Sequence, residues 1–73
     1  MTTAEIIKFY LVESRPTMSP ISHVNIVVAT EKGFADWASR ERWGTSIESV
    51  QEISIKQAVM NQHKYKVIIV TEV

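Results

Sequence analysis

Residues 22–44 of the chain read SHVNIVVATEKGFADWASRERWG, and a change of pattern inside this stretch decides the fold. Up to residue 29 the apolar residues, most of them β-branched, alternate as in a half-buried strand, which is predicted over Ser22–Ala29. At Thr30 a hydroxyl residue able to cap a helix precedes Glu31, whose charge suits the positive end of the helix dipole. The stretch therefore predicts a strand that leads directly into a helix.

The predicted helix is short, about 12 residues from Thr30, as bounded by its start and stop signals. Phe34, Trp37 and Ala38 recur at helical spacing and form its apolar face. Polar side chains project outward, namely Lys32, Asp36, Arg40 and Arg42. Gly44 is predicted to end the helix in the left-handed conformation that glycine adopts readily.

Before this stretch, the pattern predicts a strand and a loop. Ile7, Phe9 and Leu11 alternate with polar and apolar neighbours, which predicts a first strand over Ala4–Glu13. The following Ser14–Ile21 contains both prolines of the chain, and proline has no N–H to donate to a sheet. We therefore expect an eight-residue loop between two antiparallel strands.

After Gly44 the pattern is weaker. A polar stretch, Thr45–Glu52, predicts a connection, and the alternation around Ile53 predicts a third strand near Val50–Lys56. Gln57–His63 fits either a turn or a single helical turn, and Lys64–Glu72 alternates as a final strand. The predicted order is β-β-α-β-β, an α+β fold in which one helix packs on a small antiparallel sheet.

Composition limits the classes of protein that fit. Seventy-three residues form a single domain, 1–73, and the 45% apolar content is too high for a disordered chain. Eight basic and eight acidic residues give zero formal charge, which argues against a dedicated nucleic-acid binder. No apolar run approaches the roughly 20 residues of a membrane span, and no basic region followed by an apolar one begins the chain. We expect a cytoplasmic protein without a membrane partner.

Motifs for catalysis, metals and cofactors are missing from the sequence. There is no cysteine, and the only histidines, His23 and His63, are far apart. Two glycines are too few for a phosphate-binding loop, and no nucleophile elbow occurs. Glu48 and Glu52 would share a face if their stretch were helical and could then act as an acid and a base, but a solvated polar connection is the better interpretation. We expect no enzyme, no small-molecule substrate, no metal and no cofactor.

Two groups of residues are candidates for partner binding. Arg40, Arg42 and Trp43 cluster at the end of the helix, and Arg and Trp are enriched at binding hot spots. The alternative is that Trp43 packs under the helix terminus while the arginines complement the dipole.

The second group lies in the proline-containing loop. Arg15, Met18 and Ile21 combine charge with apolar surface and could become ordered on a partner; the alternative is an ordinary mobile connection. Three lysines, Lys56, Lys64 and Lys66, form a basic flank. Lysine on an edge strand commonly blocks aggregation, which is the favoured interpretation of this flank.

Two stretches of the chain support a resemblance that extends over its full length. They are MTTAEIIKFYLVESRPTMSP (1–20) and EKGFADWASRERWG (31–44). In these two stretches the chain resembles the small RNA polymerase-binding transcription regulators of Xanthomonas lytic phages. Its plan is also similar to that of the T7-type phage polymerase inhibitors, from which it departs by the added strand at 64–72 and by lacking a strong acidic patch.

The resemblance implies a non-enzymatic protein, monomeric when free, that acts in the infected bacterial cell. It implies docking on the β′ and β subunits of the host RNA polymerase, displacement of the σ factor with inhibition of initiation, and antitermination. Nucleic acid would take part only indirectly. The resemblance carries over no individual contact residue. The alternatives are a protein-interaction module of unknown partner and a weak nucleic-acid-binding domain.

Overall fold

The computed structural model describes residues 6–70, which contain four strands and two helices. The elements are β1 (Ile7–Pro16), β2 (His23–Thr30), α1 (Glu31–Glu41), β3 (Thr45–Ile53), α2 (Ile55–Asn61) and β4 (Lys66–Ile69). The α+β class is confirmed, but the order is β-β-α-β-α-β instead of β-β-α-β-β. The outer ends of the first and last predicted strands, at Ala4 and Glu72, lie outside the described residues.

The strands β1 and β2 pair antiparallel, as predicted, from Ile7 opposite Thr30 to Ser14 opposite His23. β1 continues beyond its predicted end at Glu13 and takes in Pro16. Proline is tolerated there because β1 has only β3 as a neighbour beyond Ser14, so its other side is a free edge that needs no N–H donor.

The sheet is mixed, with the strand order β3-β1-β2-β4, and the expectation of a purely antiparallel sheet was wrong. β4 runs parallel to β2, with Asn25 opposite Lys66 and Val28 opposite Ile69. Parallel pairing requires a crossover connection, because a tight turn can join only antiparallel neighbours. α2 lies within the connection from β3 to β4.

Helix α1 begins where the sequence predicts. The Thr30 Oγ1 accepts a hydrogen bond from the Gly33 N–H at 3.0 Å, and Glu31 occupies the first turn. The predicted left-handed stop at Gly44 was wrong, since no residue of the described part has a positive φ. The helix instead ends through tightened turns, in which the Trp43 N–H donates to the Arg40 carbonyl and the Gly44 N–H to the Glu41 carbonyl.

Two predicted boundaries near β3 were wrong. The strand starts at Thr45, inside the stretch predicted to be a connection, and it stops at Ile53, before the predicted end at Lys56. Ser54 then caps α2: its hydroxyl accepts from the Gln57 N–H at 3.2 Å, and the Gln57 Oε1 accepts from the Ser54 N–H at 3.1 Å. This capping box turns the ambiguous stretch into a seven-residue helix.

The sheet carries apolar clusters on both faces, because neighbouring residues of a strand point to opposite sides. One cluster centres on Tyr10, Val12, Val27 and Ala29, with Phe34 and Trp37 of α1 packed on it. The other contains Ile26, Ile53 and Ala58 of α2, with Phe9 and Leu11 beside them. The predicted apolar face of α1 is thus confirmed, and the two helices cover opposite faces of the sheet. Neither helix has the length and hydropathy to cross a membrane.

Candidate partner-binding surface

The two segments predicted separately as partner-binding candidates lie next to each other. The Thr17 N–H donates to the Gly44 carbonyl at 3.1 Å, and Pro16 pairs with Thr45 across β1 and β3. The loop after β1 is therefore held against the segment that follows α1. We call residues 15–22 and 40–44 together the loop–helix end.

The loop–helix end exposes large apolar side chains. Trp43 is 92% exposed, Met18 95% and Ile21 62%. The alternative that Trp43 packs under the helix terminus was therefore wrong. Large apolar side chains grouped on a small domain are typical of surfaces that bind another protein.

Arg15 has a different position from the one predicted. Its Nε donates to the Glu48 Oε1 at 3.0 Å, and its Nη1 donates to the Ser19 carbonyl at 3.4 Å. The Ser22 hydroxyl also donates to the Glu48 Oε1, at 3.0 Å. Glu48 thus ties both ends of the loop to β3, through Arg15 and Ser22, and Arg15 helps to position the loop while its side chain stays 42% exposed.

The loop also has internal hydrogen bonds. The Ser19 N–H donates to the Pro16 carbonyl at 3.0 Å, and the Ile21 N–H donates to the Ser19 Oγ at 3.1 Å. A loop held in one conformation loses less conformational entropy when it binds. Met18 and Ile21 therefore lie on a loop that has hydrogen bonds of its own and a bond to the segment after α1.

Arg40 and Arg42 are both exposed, as predicted, and neither forms an ion pair within residues 6–70. Arg42 also lines an open cavity of about 430 Å³ with Thr17, Thr45, Ser46 and Ile47. An unpaired guanidinium beside such a cavity can bind a carboxylate of a partner with two parallel hydrogen bonds. The loop–helix end therefore combines cationic and apolar groups.

Glu48 and Glu52 lie on β3 and each has a cation beside it. Glu48 binds Arg15, and the Glu52 Oε1 lies 3.6 Å from the Lys8 Nζ, which is also 3.4 Å from the Glu31 Oε2. The carboxylate of Glu52, followed by that of Glu31, raises the pKa of Lys8. The helical arrangement that an acid–base pair would need is absent, because residues 45–53 form a strand.

The histidines are exposed, His23 at the start of β2 and His63 in the turn before β4. Within residues 6–70, no three His, Cys, Asp or Glu side chains are grouped so that they could hold a metal ion. Of the basic flank, Lys56 lies on α2, Lys64 in the turn and Lys66 on the edge strand β4.

Sequence reasoning missed Thr17 and the carbonyl of Gly44, which join the two parts of the loop–helix end. A backbone hydrogen bond between distant segments leaves no local signal in the sequence. Comparisons with protein-family models, curated proteins and solved structures find no match to this chain.

Proposed function

We propose that this chain is a phage transcription regulator that binds the β′ and β subunits of the host RNA polymerase. It displaces or disfavours the σ factor, inhibits initiation at host promoters and acts as an antiterminator. The proposal starts from the resemblance of segments 1–20 and 31–44 to such regulators. Under this proposal the protein acts in the cytoplasm of an infected bacterium and is not an enzyme.

One observation carries the physical part of the proposal: the loop–helix end groups exposed Trp43, Met18 and Ile21 with Arg40 and Arg42, which form no ion pair with any of residues 6–70. Tryptophan and arginine contribute disproportionately to the stability of protein complexes. A surface of this kind needs no substrate pocket, and it suits a protein partner better than a small molecule.

The proposed mechanism is a shift of population. A regulator that binds core polymerase more tightly than the σ-containing holoenzyme lowers the affinity of the core for σ by the same factor, because the coupling is reciprocal. The zero net charge of the chain suits this task, since the protein has to recognise polymerase without binding the nearby DNA nonspecifically.

The first experiment measures binding of the purified chain to bacterial core polymerase and to holoenzyme at low and at physiological salt. We expect tight binding to the core and release of σ from the holoenzyme, with an affinity that falls only modestly at the higher salt, because salt screens the arginine contacts and leaves the apolar ones. Failure to bind either form would overturn the proposal and leave an interaction module of unknown partner.

Variants then locate the surface. Replacing both Arg40 and Arg42 by alanine, or Trp43 by alanine, is expected to weaken binding by about tenfold or more, as for hot-spot residues. Lys32→Ala is the matched control, because Lys32 is also an exposed cation of α1 but lies in its first turn. Full affinity in both loop–helix variants would place the interface elsewhere on the chain.

A further inference from the structure

An open cavity of about 660 Å³ lies at the end of the sheet where β2 and β4 begin. It is lined by residues of the strands, of α1 and of the turn before β4. Those that decide its chemistry are His23, Asn25, Trp37, Glu41, Lys64 and Lys66. Its volume falls in the range of small-molecule and cofactor sites, roughly 300 to 1,000 Å³.

Trp37 gives this cavity an aromatic wall. Its ring lies against that of Phe34, with centroids 5.8 Å apart and planes tilted by 35°, and the side chain is half-buried. One part of the indole therefore packs in the core while another part faces the cavity. An indole fixed in this way can stack on a nucleobase, since every base has an aromatic face.

Two lysines place positive charge at the same cavity. Lys66 lies opposite Asn25, and Ile68, two residues further along β4, packs in the same cluster as Trp37. Lys66 and Trp37 therefore belong to the same face of the sheet. Neither Lys64 nor Lys66 forms an ion pair with any residue of the range 6–70.

Protection of the β4 edge explains only part of this arrangement. It accounts for a lysine on the strand, as at Lys66. It does not account for Lys64, which lies in the preceding turn and lines the same cavity. Two exposed cations beside an aromatic wall have the chemistry of a site for a base and its phosphate.

We propose that this cavity binds a segment of single-stranded nucleic acid, with a base against Trp37 and backbone phosphate at Lys64 and Lys66. His23 and Asn25 supply groups that can hydrogen-bond to a base edge. The carboxylate of Glu41, at the end of α1, repels phosphate but can accept a hydrogen bond from a ribose hydroxyl or a base amino group. Binding through two lysines is weak and local, in keeping with the zero net charge of the chain.

The test uses the full chain without polymerase, so its outcome is independent of the function proposed above. Trp43→Phe leaves Trp37 as the only tryptophan, and a short oligouridylate is titrated while the fluorescence of Trp37 is recorded. We expect saturable quenching by stacking, and an affinity that falls with salt with a logarithmic slope of about −1.4 for two phosphate contacts to a single strand.

In the Trp43→Phe variant, the further double substitution Lys64→Ala and Lys66→Ala is expected to weaken oligouridylate binding by about tenfold, because both charge-assisted contacts to phosphate are lost. Lys32→Ala with Lys56→Ala is the matched control and should bind as the parent does, since neither lysine lines the cavity. Circular dichroism checks that each variant is folded.

Three results would overturn the proposal: no quenching, quenching that survives the Lys64 and Lys66 substitutions, or equal affinity for uridine monophosphate. The last result would assign the cavity to a free nucleotide. A deoxyuridine oligomer bound as tightly as the RNA would support single-stranded binding without selection for ribose.

Discussion

The two tryptophans of the chain occupy opposite environments only six positions apart. Trp37 packs beside Tyr10 and Phe34 over the sheet, whereas Trp43 is 92% exposed. The same residue type therefore stabilises the fold at one position and is available to a partner at the other. Their substitutions are expected to have different effects.

We predict that Trp37→Ala lowers the free energy of unfolding by about 2 kcal/mol, less than the 3 to 5 kcal/mol of a fully buried aromatic because Trp37 is only half-buried. Trp43→Ala should leave that free energy unchanged within about 0.5 kcal/mol, as is usual for surface substitutions. Urea denaturation of both variants measures the difference. Equal losses of stability would show that Trp43 also supports the fold.

Tyr10 makes the stability depend on alkaline pH. It is 7% exposed, and burial, the largest cause, raises its pKa above the ordinary 10.0. The folded state therefore holds this proton more tightly than the unfolded state, so stability is complete below about pH 10 and falls as the pH rises through the folded pKa. The carboxylates of Glu52 and Glu31 likewise raise the pKa of Lys8 above 10.5, so the contribution of this ion pair is also lost as the pH rises through the folded pKa of Lys8.

Tyr10→Phe should reduce this alkaline loss of stability, because the ring and its stacking on Phe34 at 4.0 Å remain while the ionisable hydroxyl is removed. Melting temperatures recorded from neutral to strongly alkaline pH provide the measurement. Parallel curves for the variant and the parent would rule out a contribution from Tyr10.

At the scale of elements, α2 depends on its cap more than on its length. Seven residues are too few for a helix that is stable by itself, so the hydrogen bonds between Ser54 and Gln57 matter. We predict that Ser54→Ala costs about 1 kcal/mol, the usual value for a lost N-cap.

The matched control is Ser39→Ala on the exposed side of α1, where alanine is the better helix former. It should be neutral or slightly stabilising. Thermal unfolding of the two variants compares them directly, and equal stabilities would mean that the cap of α2 contributes nothing.

The elements show what a sequence can predict here and what it leaves open. The strand over 22–29 and the apolar face of α1 follow from strong local patterns, and the structure confirms them. The bounds of β3 were harder to predict from the sequence. β3 is an edge strand with most of its side chains exposed, so its sequence lacks the alternation of apolar and polar residues that burial imposes. The boundary at Ser54 did have a signal, the Ser-x-x-Gln of a capping box, which the alternation of Ile53 and Ile55 obscured.

For the candidate partner-binding surface too, the sequence predicts some features and not others. Residue types were enough to select Arg40, Arg42 and Trp43, and their exposure agrees with that selection. The bond of Arg15 to Glu48 was not predictable, because it joins positions brought together only by the pairing of β1 with β3. Long-range pairing leaves no trace in local composition.

For the whole molecule, the sheet is expected to differ in stability from centre to edge. β1 has strands on both sides, whereas the four residues of β4 pair with β2 alone. We predict that amide hydrogens of β4 exchange through local opening, faster than those of β1, which require global unfolding. Hydrogen exchange followed by NMR tests this, and equal protection in both strands would show that the sheet opens as one unit.

The order of the strands also has a consequence for how the chain folds during synthesis. β1 leaves the ribosome first and can form a hairpin with β2 at once, but its other neighbour, β3, is separated from it by the whole of β2 and α1. Pairings between distant segments slow folding, because a long loop must close before they form. The hairpin therefore keeps one side of its first strand unpaired until residues 45–53 have been translated, and the native sheet is completed only later, when β4 pairs in parallel with β2.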